Sequence, residues 1–147
     1  MPDQRSAPQL QAINPPGLYA PAPNGYSHLM ITPANARWLF VAGQGGEDTN
    51  GVLPAEFADQ LTRCMKNLEY ALTVGGARFD QVAQLTVLVV DHIEARLALI
   101  SAALAKAAGN NPAPACTLIP VPRLAPEDML IEIDAAACLP ASEEHAA

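Results

Sequence analysis

Cationic side chains are scarce in this chain. Eight Lys and Arg stand against fifteen Asp and Glu among 147 residues, a net charge of −7. Nucleic-acid affinity rests largely on cations that displace the counterions of phosphates. The eight are scattered without a cluster, so no nucleic-acid partner is expected. Cysteine is also sparse: Cys64, Cys116 and Cys138 are odd in number, form no CxxC, and have no histidine at ligand spacing. That pattern fits neither a disulfide framework nor a zinc site, and it suits free thiols in a reducing cytoplasm. The histidines are only His28, His92 and His145, too few and too dispersed for a metal centre. No apolar run is long enough to span a membrane. The opening MPDQRSAPQL lacks the apolar core of a signal peptide, and no GxSxG elbow of a serine hydrolase occurs.

Apolar residues, by contrast, make up 50% of the chain while aromatics contribute 5%. A single domain with an aliphatic core follows, spanning residues 9–140 between disordered segments at 1–8 and 141–147. Asn14 to Gly25 reads NPPGLYAPAPNG, which permits no regular element and predicts an ordered surface loop. A short leading strand is expected near Leu10 to Ile13. Ser27 to Thr32 and Arg37 to Ala42, separated by the turn-like PANA, predict a hairpin. Phe57, Leu61, Cys64, Met65, Leu68 and Leu72 recur at helical steps. They predict a helix from about Pro54 to Val74, stopped by Gly75-Gly76.

Gln81 to Val90 is apolar nearly throughout and predicts a strand covered on both faces. DHIE then predicts a capping box in which Asp91 caps and Glu94 reaches back. The helix it opens runs to about Ala108, and His92 at its start is expected in solvent. Cys116 to Val121 and Met129 to Cys138 predict two last strands. In the second, Met129, Ile131, Ile133 and Ala135 share one face, while Leu130, Glu132 and Asp134 share the other. The pattern is α+β, β-β-α-β-α-β-β, with two helices on one face of a mixed sheet. Two helices cover one face only, so self-association is expected to cover the other.

Three constellations carry possible chemistry. Glu132 and Asp134 share a strand face; under a subunit interface their carboxyls would be usable as acid or base, and on an open face they are solvated charges. Cys116 and His28 could form a nucleophilic pair, although no oxyanion motif accompanies them. Gly43-Gln44-Gly45-Gly46 resembles a phosphate cradle, but EDTNG intervenes where a helix would have to start at once.

Taken together, GYSH from Gly25, VAGQ from Val41, TVLVVD from Thr86, PACTLIPV from Pro114 and IEIDA from Ile131 resemble the Rid (YjgF, endoribonuclease L-PSP-like) family. Order and spacing agree over about Ile13 to Pro140. The resemblance implies a chorismate-mutase-like fold, a homotrimer, and small-molecule clefts between subunits. It also implies cofactor-free hydrolysis of enamines and imines such as 2-aminoacrylate. Position by position, the Tyr after the loop glycine is Tyr26, and the Glu that holds the attacking water is Glu132. These two are the implied catalytic residues. The family's carboxylate-clamping Arg is replaced by Cys116, and its Ser before the glycine turn by Ala42. Cys116 and Ala42, with Gly43 and Thr117, form the implied ligand-binding set. A thiol cannot supply a bidentate clamp, so archetypal 2-aminoacrylate activity is not expected. Three readings remain: a deaminase-type hydrolase of a differently anchored imine, enamine or related metabolite; a non-catalytic ligand-binding trimer; and an endoribonuclease, which the charge disfavours.

Overall fold

The computed structural model describes residues 10–142. The disorder expected at 1–8 and over 143–147 lies outside the described residues. Six strands and two α-helices follow in the order β1 (Gln11–Ile13), β2 (Leu29–Ile31), β3 (Arg37–Gln44), α1 (Phe57–Val74), β4 (Val82–Val90), α2 (Glu94–Ala108), β5 (Ala115–Val121) and β6 (Ile131–Leu139). The main sheet has the order β3-β6-β4-β5. Its β4–β5 pair is parallel, joined through α2, and its other pairs are antiparallel. This is the mixed α+β sheet expected.

Both helices pack on one face of that sheet. On α1, Phe57, Leu61, Cys64, Leu68 and Leu72 are buried, and on α2 Ile100 and Leu104. They meet Leu85, Val87 and Val89 of β4 and Ile131, Ile133 and Ala135 of β6. Full burial of one such aliphatic side chain stabilises by about 1.5–3 kcal/mol. Gly75 closes α1 with its N–H on Ala71 O. A Cβ there would meet Leu39 at 2.5 Å, and Gly76 takes φ +87, the left-handed turn that ends a helix.

Buried Gln60 ties α1 to β6. Its Nε2 donates to Pro54 O (2.8 Å) and Asp128 O (2.9 Å), and its Oε1 accepts from the Leu130 N–H (2.8 Å). Pro54 is thus a partner of the helix rather than its first residue, and α1 starts at Phe57.

Three local expectations fail. The hairpin does not pair β2 with β3: β2 pairs with β1, Gln11 opposite Ile31. The reason is non-local. Ser27 N–H bonds Pro114 O and bridges Ala115, which draws the segment to the β5 edge, whereas β3 occupies the opposite edge. The Asp91 cap also fails. Asp91 has φ 51, while a capping residue needs extended backbone; Ile93 holds that position without a side-chain cap. The Arg96 guanidinium turns back to Val90 O and stacks over Phe57, 4.6 Å from the ring centroid. His92 is half-buried rather than solvated, and its Nδ1 is enclosed without a partner.

Candidate functional site

The uncovered face of the sheet carries the outward residues of three strands. On β6 these are Glu132, Asp134 and Ala136, because Ile131, Ile133 and Ala135 are turned into the core. On β4 they are Gln84, Thr86 and Leu88. On β3 they are Trp38 and Phe40, since Leu39 and Val41 pack inward. Trp38 and Phe40 stack with ring centroids 6.1 Å apart, and Phe40 is 76% exposed.

Glu132 lies opposite Leu88, and the β3–β6 register shifts between Val41 and Gln44. At that irregularity Gly43 lets the β3 backbone approach Glu132. A Cβ on Gly43 would lie 2.5 Å from Glu132 Cδ and closer still to Oε1. Gly43, Thr86, Leu88, Glu132 and Asp134 line a cavity of about 180 Å³. A shallower hollow of about 450 Å³ continues it past Thr86 and Asp134 to Phe40, Ala42 and Gln84. No Lys or Arg lines either one. Asp134 is held in place by the Thr86 N–H, 3.1 Å from Oδ1.

The turn after β3 holds a second enclosed carboxylate, Glu47, beside Gly45. Asn67 Nδ2 donates to Gly45 O and Glu47 O, and Cys64 Sγ donates to Gln44 O at 3.0 Å. Glu47 Oε2 is enclosed there without a partner. Burial pushes the Cys64 thiol up to about 12, and Glu47 and Glu132 add to the shift. The glycine-rich exit is therefore a close-packed corner. A Cβ on Gly46 would meet Gln60 O at 2.6 Å, and α1 begins eleven residues later at Phe57, so no phosphate cradle forms.

Tyr26 and Cys116 occupy another place. Cys116 pairs with Leu85, a core residue, so its thiol lies on the helix-covered face. Its neighbour Thr117 pairs with Thr86 and shares the face of Glu132. Burial pushes the Cys116 thiol up to about 11, the reverse of an activated nucleophile. Tyr26 sits beside it in an aromatic group with Tyr19 and His28. The His28 ring is 5.2 Å from Tyr19 and 5.5 Å from Tyr26, both edge to face. The Tyr19 and Tyr26 hydroxyls share a hydrogen bond, which raises Tyr26 to about 12 together with burial and the charges of Tyr19 and Cys116. His28 Nε2 contacts Tyr19 O at 2.7 Å, and it makes no pair with Cys116.

Within one chain, then, the structure brings Glu132, Ala42, Gly43 and Thr117 to one face. It brings Tyr26 and Cys116 to the β5 edge on the other. Thr86 and Glu47 were missed by sequence reasoning; only a knowledge of register or of the turn after β3 could have found them. Among the described residues no group of His, Cys, Asp and Glu could hold a metal ion, and no helix is long and apolar enough to cross a membrane.

Comparison with known proteins agrees with this architecture. Residues 18–139 match the family model for Endoribonuclease L-PSP. The chain is 34% identical to the Rid-family protein YyfB from Yersinia pestis, over 89% of this chain and 99% of that one, with a TM-score of 0.85. It is 26% identical to YjgH, over 91% and 99% of the two chains, at a TM-score of 0.66. E. coli TdcF, solved with bound serine, shares the fold at 20% identity and a TM-score of 0.62, over 79% and 94%. No curated protein matches the sequence. The match over most of the chain and the YyfB identity decide the assignment: this chain belongs to the Endoribonuclease L-PSP (Rid, YjgF) family.

Proposed function

We propose that this chain is a cofactor-free, deaminase-type hydrolase of a small imine or enamine, working as a homotrimer. One observation carries the reading: Glu132 sits against Gly43 in a small polar cavity on the sheet's uncovered face. A carboxylate held there can take a proton from water as the oxygen attacks the imine carbon. That proton passes to nitrogen to give the carbinolamine; the hydroxyl proton then follows it to nitrogen through the same carboxylate, the C–N bond breaks, and ammonia leaves as the carbonyl forms. Water supplies the oxygen and both hydrogens, so neither oxidant nor cofactor is needed.

The substrate would not be anchored by a carboxylate. Cys116 stands where the resemblance expects a clamping Arg, and no cation lines the cavity. Slow hydrolysis of 2-aminoacrylate follows, since loss of a charged partner costs about 2–5 kcal/mol in binding. The serine held by TdcF fits the small size of ligand in this reading. The exposed Phe40, Trp38, Leu29 and Ile31 support assembly, and a second copy would cover the face that bears Glu132. Tyr26 and Cys116 would then reach a Glu132 cavity from a neighbouring copy. A cytoplasmic location suits the three free thiols.

Release of ammonia from a panel of imines generated in situ, with and without a carboxylate, tests the activity. Acceleration only on substrates lacking the carboxylate is expected; none at all would leave a ligand-binding trimer, which the engaged Tyr26 hydroxyl favours. Sedimentation equilibrium tests the assembly, and a stable monomer at micromolar concentration would refute it. The net charge of −7 argues against ribonuclease action.

A further inference from the structure

The chain contains only two lysines, Lys66 and Lys106, and both line one groove on the side of the sheet away from Glu132. It lies between α1 and α2, holds about 520 Å³, and is floored by Leu61, Met65, Phe79 and Ala103. Lys66 stands on the α1 wall and Lys106 on the α2 wall. We propose that this groove binds a small amphipathic carboxylate: an unbranched or aryl tail on the apolar floor and an anionic head between the two ammonium groups.

Three features support that occupant. The volume falls within the roughly 300–1,000 Å³ of pockets that hold small organic ligands. An apolar floor with a few polar groups at its rim is the pattern that fixes a ligand's orientation. Charge complementarity selects an anion: in a chain of net charge −7, this groove concentrates both lysines against one carboxylate, Glu69. Among the described residues neither lysine lies within ion-pair distance of a carboxylate. Their long stems can lie on apolar surface while the heads meet the ligand. The groove is formed by helix faces, so a trimer built through the other sheet face leaves it open.

Calorimetric titration of the native protein with decanoate tests the proposal, with decanol and decyltrimethylammonium as probes of the same tail. One decanoate per chain is expected, with decanol weaker by about tenfold and the cation weaker still. Lys66→Ala and Lys106→Ala should each weaken decanoate by about three- to tenfold, and Glu69→Gln should strengthen it. Ala103→Phe, which fills the floor and leaves the charges, should abolish binding while the circular dichroism spectrum is kept. Equal binding of the three probes, or lysine variants that bind like the wild type, would overturn the proposal. So would loss of decanoate binding in Glu132→Gln, which would place the ligand on the opposite face. Growth of the oligomer through this groove, broken by Met65→Glu, would assign it to another copy instead.

Discussion

Gln60 is the residue through which the stability of the domain and the position of the candidate site meet. It is fully buried and makes three hydrogen bonds, to Pro54 O, Asp128 O and the Leu130 N–H. Leu130 lies two residues before Glu132, so the bond fixes where β6 begins. Gln60→Leu nearly keeps the volume and removes every partner. The Leu130 N–H and the Pro54 and Asp128 carbonyls then lose this partner, and each that stays unpaired costs about 1–3 kcal/mol. Asp128 is exposed and Pro54 and Leu130 are half-buried, so water can replace part of what is lost and we expect about 3–5 kcal/mol. That is a large fraction of the roughly 5–15 kcal/mol that holds a domain of this size. Urea unfolding at fixed protein concentration, followed by circular dichroism, reads it as a fall in midpoint at constant slope. A change below about 1 kcal/mol, the value of one ordinary hydrogen bond, would refute the claim that this side chain locks α1 to β6.

Gly43→Ala is expected to act on chemistry rather than on folding. The new Cβ would lie 2.5 Å from Glu132 Cδ, and the flexible carboxylate gives way at about 0.5–1.5 kcal/mol. Displacing a reacting group by about 1 Å costs about a hundredfold in rate; unchanged turnover with a normal melting temperature would contradict it. For Cys64 the thiol ordinarily ionises near 9.0, and burial raises it to about 12 in the folded chain. Its contribution is therefore intact below pH 9 and is lost as pH rises toward 12, at about 1 kcal/mol per unit. Cys64→Ala should flatten the alkaline stability slope relative to wild type, and parallel slopes would refute this. Native labelling at pH 8 should modify half-buried Cys116 slowly and Cys64 not at all, as both raised thiols are protonated there. Mass spectrometry finding Cys64 labelled first would contradict that order.

The amphipathic faces of α1 and β6 were legible because burial repeats along an element at a fixed period. Cys64, Leu68 and Leu72 follow the helical step into the core. Ile131 and Ile133 alternate with the outward Glu132 and Asp134. Pairing partners were less legible. Nothing near Ser27 says that its N–H will meet Pro114 O, so the β2–β3 hairpin was a local reading defeated by a distant bond. The same limit applies to the site. Alternation puts Cys116 and Thr117 on opposite faces, but only the parallel register with β4 says that Cys116 joins Leu85 and Thr117 joins Thr86. The family resemblance implied a water-holding role for Glu132 and a clamping Arg replaced by Cys116, and it implied one cleft for both. Thr86 and Glu47 carry no motif; strand pairing brings Thr86 to the cavity wall, and the turn after β3 brings Glu47 beside Asn67 and Cys64.

Imine hydrolysis by the wild-type protein and by Glu132→Gln, measured side by side on a carboxylate-free imine as ammonia released above the uncatalysed rate, tests the role of Glu132 most directly. Glutamine keeps the size of the side chain and removes the base. Acceleration by the wild type is expected, with its loss in Glu132→Gln by at least about a hundredfold and an unchanged oligomer by sedimentation. Full turnover by Glu132→Gln would contradict the central claim.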